Sequence, residues 1–166
     1  YRYFPEPDLP LLHVDAAWIA VAAQSNATSG LPWNREEELI GAFKVPKGTA
    51  AIIAQNLIRF EYAVASAAAS DALGVRSLAP FNIVANEVLG LINERGIDEK
   101  QWVVKVPPER LGALIVKSER REIPGPLAKQ VLAWMLDEPG DVDELLARHG
   151  VQVRSSAAAL EPLVRA

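Results

Sequence analysis

The chain has no cysteine in its 166 residues. Disulfides, thiolate zinc sites and cysteine nucleophiles are therefore excluded. Histidine is scarce: the 2 present, His13 and His149, lie far apart and show no metal-ligand spacing. Aromatic residues make up 7%, and Ala, Leu and Val dominate the hydrophobic 50%. That mix excludes wholesale disorder and favours helix over sheet. No apolar run reaches the ~18 residues that span a bilayer. The richest, 63–73, is mainly Ala and is broken by Ser66, Ser70 and Asp71, so no membrane insertion is expected. Positive charge is not in excess either. There are 17 Lys+Arg against 21 Asp+Glu, a formal net charge of -4, so bulk attraction to nucleic acid is excluded while a local basic face is not. Phosphate-cradling loops of the G-x-x-x-x-G-K-[ST] and G-x-G-x-x-G types are missing, as is a G-x-S-x-G elbow.

What is present reads as helices separated by breakers. Residues 1–12 hold three prolines and form an extended strap. Asp15 caps a helix bearing Trp18 and Ile19, and 25–33 reads as a loop. Asn34, with Glu37 at the capping-box position, opens a short helix, which makes Glu36-Glu37-Glu38 an acidic first turn rather than a metal cluster. After the Val45–Gly48 breaker, one long alanine-rich helix is expected from about Thr49 to Ala72, ended by Gly74. Pro80 starts another, with Val84, Val88, Leu91 and Ile92 on its stripe and Gly96 beyond its end. Trp102–Val106 is expected to be extended. Pro108 opens a helix with Leu111, Leu114 and Ile115. Leu127, Val131, Trp134 and Met135 mark the face of the next, expected against the Val84/Val88/Leu91 helix. Asp141 with Glu144 forms a second capping box, closed by Gly150 after His149, and Ser155 or Ser156 caps a last helix. The architecture expected is mainly α. The chain opens Tyr1-Arg2-Tyr3 without Met and stops at Ala166 still apolar on one side, so it reads as a piece of something longer.

Two clusters invite chemistry. Glu6 and Asp8, held between prolines, suit a divalent cation, and Arg2 a phosphate or carboxylate. The competing reading, favoured on residue types alone, is a strap that packs Tyr and Phe on a neighbour. Lys117, Arg120, Arg121 and Lys129 gather around the 118–125 turn, where they suit a run of phosphates, with Arg154 extending the patch. Glu119 and Glu122 interleave with them, so a solvated charged turn is the alternative.

The string YRYFPEPDLP resembles the segment that closes the catalytic domain in the B subunits of glutamyl-tRNA(Gln)/aspartyl-tRNA(Asn) amidotransferases, the GatB/YqeY family. The resemblance continues in the family's order through Asp15–Trp18, residues 31–43, Asn86–Glu94, Pro108–Leu111 and Ile123–Lys129. It departs at 44–56, which lack the family's Y-G-L-x-x-Y-D-A-x-x-L pattern, and at Glu87, where Trp is usual. Those departures suggest a divergent, organellar member.

The resemblance implies a division into three parts. Residues 1–14 would be the strap of a catalytic (kinase) domain, 15–139 a helical domain, and 140–166 the start of a helical YqeY-like tail that holds tRNA. It implies a ligase component that forms Gln-tRNA(Gln) from misacylated Glu-tRNA(Gln) in protein biosynthesis. ATP and Mg²⁺ would serve the complete enzyme, with a glutaminase (GatA-type) subunit, a small GatC-like subunit and tRNA(Gln) as partners. Glu6 and Asp8 would border the catalytic centre. This chain alone would be inactive and would hold no cofactor. The mitochondrial matrix is the expected compartment, a bacterial cytoplasm the alternative. A non-catalytic helical tRNA-binding or scaffold module is the competing function.

Overall fold

In the computed structural model, residues 12–151 are described. Helices joined by short loops make up these residues, with no strand among them. Two compact units are formed, Tyr1–Leu31 and Pro32–Ala166. The strap and the expected last helix, with Ser155 and Ser156, lie outside the described residues.

In the first unit, α1 spans Ala16–Ser29. Asp15 caps it as expected, its Oδ1 accepting from the Trp18 N–H at 2.7 Å. The helix runs through part of the segment that reads as a loop, because Ser25–Ser29 contains no proline and glycine arrives only at Gly30, with φ 66.

The second unit contains α2 (Pro32–Phe43), α3 (Lys47–Ala54), α4 (Leu57–Ala72), α5 (Ala79–Ile83), α6 (Leu89–Arg95), α7 (Glu99–Lys105), α8 (Pro108–Glu119), α9 (Gly125–Asp137) and α10 (Val142–Arg148). A π-turn, Val84–Val88, joins α5 to α6 in one rod. Several boundaries follow the expected signals. Pro80 and Pro108 sit in first turns, Gly96 is left-handed beyond α6, and both halves of the Asp141–Glu144 box are made.

Other boundaries differ, for local reasons. The long helix expected over 49–72 is two, since the Asn56 side chain accepts from the N–H groups of Ile58 (2.8 Å) and Arg59 (3.4 Å) and restarts the chain. Trp102–Lys105 is helical rather than extended. An unanticipated capping box, Asp98 with Gln101, nucleates α7, and burying Trp102 to 1% exposure outweighs the β preference of the valines. α2 begins at Pro32, so Glu36–Glu38 lie past its first turn.

One core serves the unit. Leu39, Ile53, Phe81, Val84, Trp102, Leu111, Leu114, Ile115, Val131, Met135 and Leu145 are all essentially buried. The seam between α4 and α8 is its tightest place. Ala63, Ser66 and Ser70 are buried small residues along α4, and Gly112 on α8 lies against Ala69 and the Ser70 backbone. A Cβ on Gly112 would stand 2.7 Å from the Ala69 Cβ and 3.1 Å from the Ser70 backbone nitrogen. The alanine-rich composition of α4 thus sets how closely the helices approach. In α9, Val131 and Met135 are buried as expected, while Leu127 and Trp134 are half-buried. α9 packs mainly on α8, α10 and α7 and meets the α5–α6 rod through two ion pairs, Lys129–Glu87 (2.7 Å) and Arg95–Asp137 (3.0 Å).

Two glycines separate close approach from simple tolerance. Gly90→Ala, with nothing within 4 Å of the new Cβ, should raise stability by about 0.5–1 kcal/mol. Gly112→Ala should lower it, because overpacking of about 1–3 kcal/mol exceeds the helix-propensity gain. Urea unfolding of the two variants checks this, and stabilisation by both would show that the seam can relax.

Candidate nucleic-acid interface

The basic turn between α8 and α9 is held at both ends. α8 closes in a Schellman motif: the Arg121 N–H donates to the Ser118 carbonyl at 3.0 Å, and the Glu122 N–H to the Lys117 carbonyl at 2.9 Å. The left-handed position of that motif, usually glycine, is taken by Arg121 with φ 58. Ile123 is buried directly after it, and Pro124 leads into α9. Backbone hydrogen bonds and one apolar anchor therefore fix the turn.

The cations on it do different things. Lys117 is half-buried and pairs with Asp143 at the start of α10 (2.8 Å) and with Glu122 (3.5 Å). The Asp143 hydrogen bond is the main reason its ammonium is held above the ordinary lysine value. Arg120 donates to the Leu73 carbonyl at the end of α4, at 2.9 Å. Lys129 pairs with Glu87 on the π-turn at 2.7 Å. Glu87 is the residue that departs from the family's Trp, so the departure carries an ion pair. Arg121 is exposed, and its guanidinium meets no partner among the described residues. The turn thus brings Lys117, Arg120 and Arg121 together in sequence, but Lys117 is engaged by α10 and Arg120 by the end of α4. Arg2, Glu6, Asp8 and Arg154 lie outside the described residues.

A second polar assembly, which the sequence pattern does not announce, holds α10 in place. Arg110 donates to the carbonyls of Lys105 (2.9 Å), Met135 (3.1 Å) and Glu138 (3.3 Å). The Glu138 carboxylate takes Arg148 at 2.6 Å and the His149 Nε2 at 2.9 Å. The His149 ring stacks on Trp134, with centroids 3.8 Å apart and planes 6° from parallel. His149 is the C-cap of α10, as its place before Gly150 suggests. Its aromatic partner lies on the preceding helix and carries no local signal. Lys44 and Arg76 are further cations that sequence alone does not single out. Lys44 has φ 60 and donates from Nζ to the Gly41 carbonyl at 2.7 Å, and Arg76 pairs with Asp71 at 2.6 Å.

A family model described as the GatB domain matches residues 67–166. The chain belongs to the GatB domain family. The B subunit of the aspartyl/glutamyl-tRNA(Asn/Gln) amidotransferase of Laribacter hongkongensis is 34% identical over 165 residues, covering 99% of this chain and 33% of that protein. The protein of the same name from Moorella thermoacetica is 32% identical over 164 residues, again 99% of this chain and 33% of the relative. That of Caldicellulosiruptor saccharolyticus is 27% identical over 168 residues, 100% of this chain and 34% of the relative. This GatB-family chain spans about a third of the length of the curated relatives it matches. No helix among its described residues is long and apolar enough to cross a membrane.

Glu138 makes the α10 assembly sensitive to acid. Arg148 first, and His149 second, hold its carboxyl below the ordinary glutamate value. A carboxylate depressed in the folded state contributes stability above its unfolded-state pKa and loses it as pH falls through the folded one. Glu138→Gln should therefore lower the thermal midpoint at neutral pH, with the difference from the parent chain closing below about pH 4. An offset that stays constant over that range would remove the pair from the account of stability.

Proposed function

We propose that this GatB-family chain serves as part of the B subunit of a tRNA-dependent amidotransferase, a ligase. In the complete complex that subunit would convert misacylated Glu-tRNA(Gln) to Gln-tRNA(Gln). The observation that carries the reading is the alignment of 99% of the chain with proteins of that name, together with the GatB match over 67–166. The proposed partners are a glutaminase (GatA-type) subunit, a small GatC-like subunit and tRNA(Gln).

ATP and Mg²⁺ are proposed for the complete enzyme. The described residues do not fit such a site, since no three histidine or carboxylate groups gather there to hold a metal ion. Phosphoryl chemistry is accordingly not assigned to them. Glu6 and Asp8 are proposed to border the catalytic centre, with Arg2 meeting a phosphate or carboxylate. Lys117, Arg120, Arg121, Lys129 and Arg154 are proposed to meet tRNA. The functional division proposed is 1–14, 15–139 and 140–166. It is not a packing boundary at 139, because Val142, Leu145 and Leu146 of α10 are buried in the common core. The setting proposed is the mitochondrial matrix, on the divergence at 44–56 and Glu87. The bacterial source of the relatives favours the alternative, a bacterial cytoplasm.

Two experiments on the complete complex test this. Glu6→Gln should lower the ATP-dependent step while leaving glutaminase activity largely intact, and unchanged kinase rates would return Glu6 to a structural role. Changing Arg120 and Arg121 together to Ala should weaken tRNA binding without regard to sequence. The salt slope should fall by roughly 0.7 to 0.9 for each phosphate no longer bound. Unchanged affinity and slope would take the α8–α9 turn out of the interface.

A further inference from the structure

Among the described residues, the non-glycine positions with a left-handed backbone are Lys44, φ 60, and Arg121, φ 58. Such positions are uncommon outside glycine and are enriched in Asn and Asp rather than in cations. Both follow the end of a helix, α2 and α8 respectively, and both side chains are exposed. A cation that merely offsets a helix dipole can sit anywhere in the last turn on an unstrained backbone. Cationic side chains kept where glycine would be easier point from an observed strain toward a use.

The two are joined across one end of the unit. Arg120 reaches the Leu73 carbonyl, and its guanidinium lies 4.0 Å from where a Cβ on Gly74 would stand. That approach places the end of α8 against the loop between α4 and α5. The loop carries Arg76, whose side chain is 85% exposed. Arg76 and Lys44 then flank an open cleft of about 530 Å³ whose apolar lining includes Phe43, Leu78 and Phe81. The acidic groups on this end are Asp71, Glu119 and Glu122, of which Asp71 pairs with Arg76 and Glu122 with Lys117, so Lys44, Arg120 and Arg121 have no carboxylate partner among the described residues, in a chain whose net charge is -4. Lys44 uses one donor on Gly41, and Arg76 shares its head with Asp71. An ammonium has three donors and a guanidinium five, so both keep donors for a ligand.

We propose that Lys44 and Arg76, continuing the line from Arg121, form a second phosphate-binding edge that takes the RNA backbone, with the cleft between them open to an unstacked base. The proposal rests on the reading that the complete enzyme binds tRNA, and it adds a surface outside the α8–α9 turn. Charge complementarity selects the occupant. The cations are strung over two helix ends and a loop, which suits a run of phosphates, and the apolar floor suits the face of a base.

The test uses the complete amidotransferase complex, with tRNA affinity measured against salt for Lys44→Gly, Arg76→Ala and the double variant. Lys44→Gly should keep or raise the thermal midpoint, since it relieves the left-handed backbone, while weakening tRNA binding. A purely structural cap does not give those opposite signs. The double variant should bind tRNA several-fold more weakly at moderate salt, with a salt slope reduced by about 1.5. A parent complex that binds tRNA, beside a double variant of unchanged affinity and slope, overturns this edge and leaves the proposed function standing. A parent complex with no tRNA affinity overturns both. Variants that keep tRNA but shed one of the other proteins of the complex would assign the edge to an acidic protein partner instead, and would equally overturn it.

Discussion

The contact between α4 and α8 is the constraint on which the rest of the Pro32–Ala166 unit depends. Gly112 lets α8 come down onto the Ala69–Ser70 backbone, and the small side chains at Ala63, Ser66 and Ser70 keep the seam narrow. Once that distance is set, Leu111, Leu114 and Ile115 on α8 are buried in the common core. Arg120, at the end of the same helix, is brought to the Leu73 carbonyl. Both cationic features of the protein are therefore downstream of helix packing. The turn after α8 and the loop after α4 adjoin because their parent helices do.

Polar groups inside this packing are mostly committed to structure. Arg110 ties three carbonyls from two segments, and burial draws its guanidinium below the usual arginine value. Arg59 and Glu99 pair across α4 and α7, both largely shielded. Nearby, the Tyr62 hydroxyl is buried without a hydrogen-bond partner, and desolvation holds it protonated well beyond its normal range. Arg110 and the Arg59–Glu99 pair tie the helices to one another.

Much of the helical order is legible in the sequence because capping and breaking are local. Asp15, Pro80, Gly96, Pro108, the Asp141–Glu144 pair and Gly150 each act through neighbours within a few positions. The failures have the opposite character. Asn56 is also a cap, but it is hidden inside a strongly apolar helical pattern. The neighbours of Trp102 are β-prone, whereas the need to bury its ring decides the outcome. At the candidate interface, the identities of the cations are legible and their commitments are not. Lys117 meets Asp143 and Lys129 meets Glu87 across distances in the chain that no spacing rule spans. The left-handed backbones of Lys44 and Arg121 are equally hidden, since the usual sign of that conformation is a glycine.

The π-turn has a geometric effect on the α5–α6 rod. In an ordinary helix a step of four residues overshoots a full turn by about 40°, so side chains at that spacing wind slowly off one face. Val84, Val88 and Ile92 follow such a spacing, and all three are buried. The Leu89 N–H reaches back to the Val84 carbonyl, which widens the coil between the first pair, and the same step there undershoots instead. The two angular errors have opposite sign. One extra residue per turn, used once, acts as a phase corrector that keeps the buried line of the rod straight along its length.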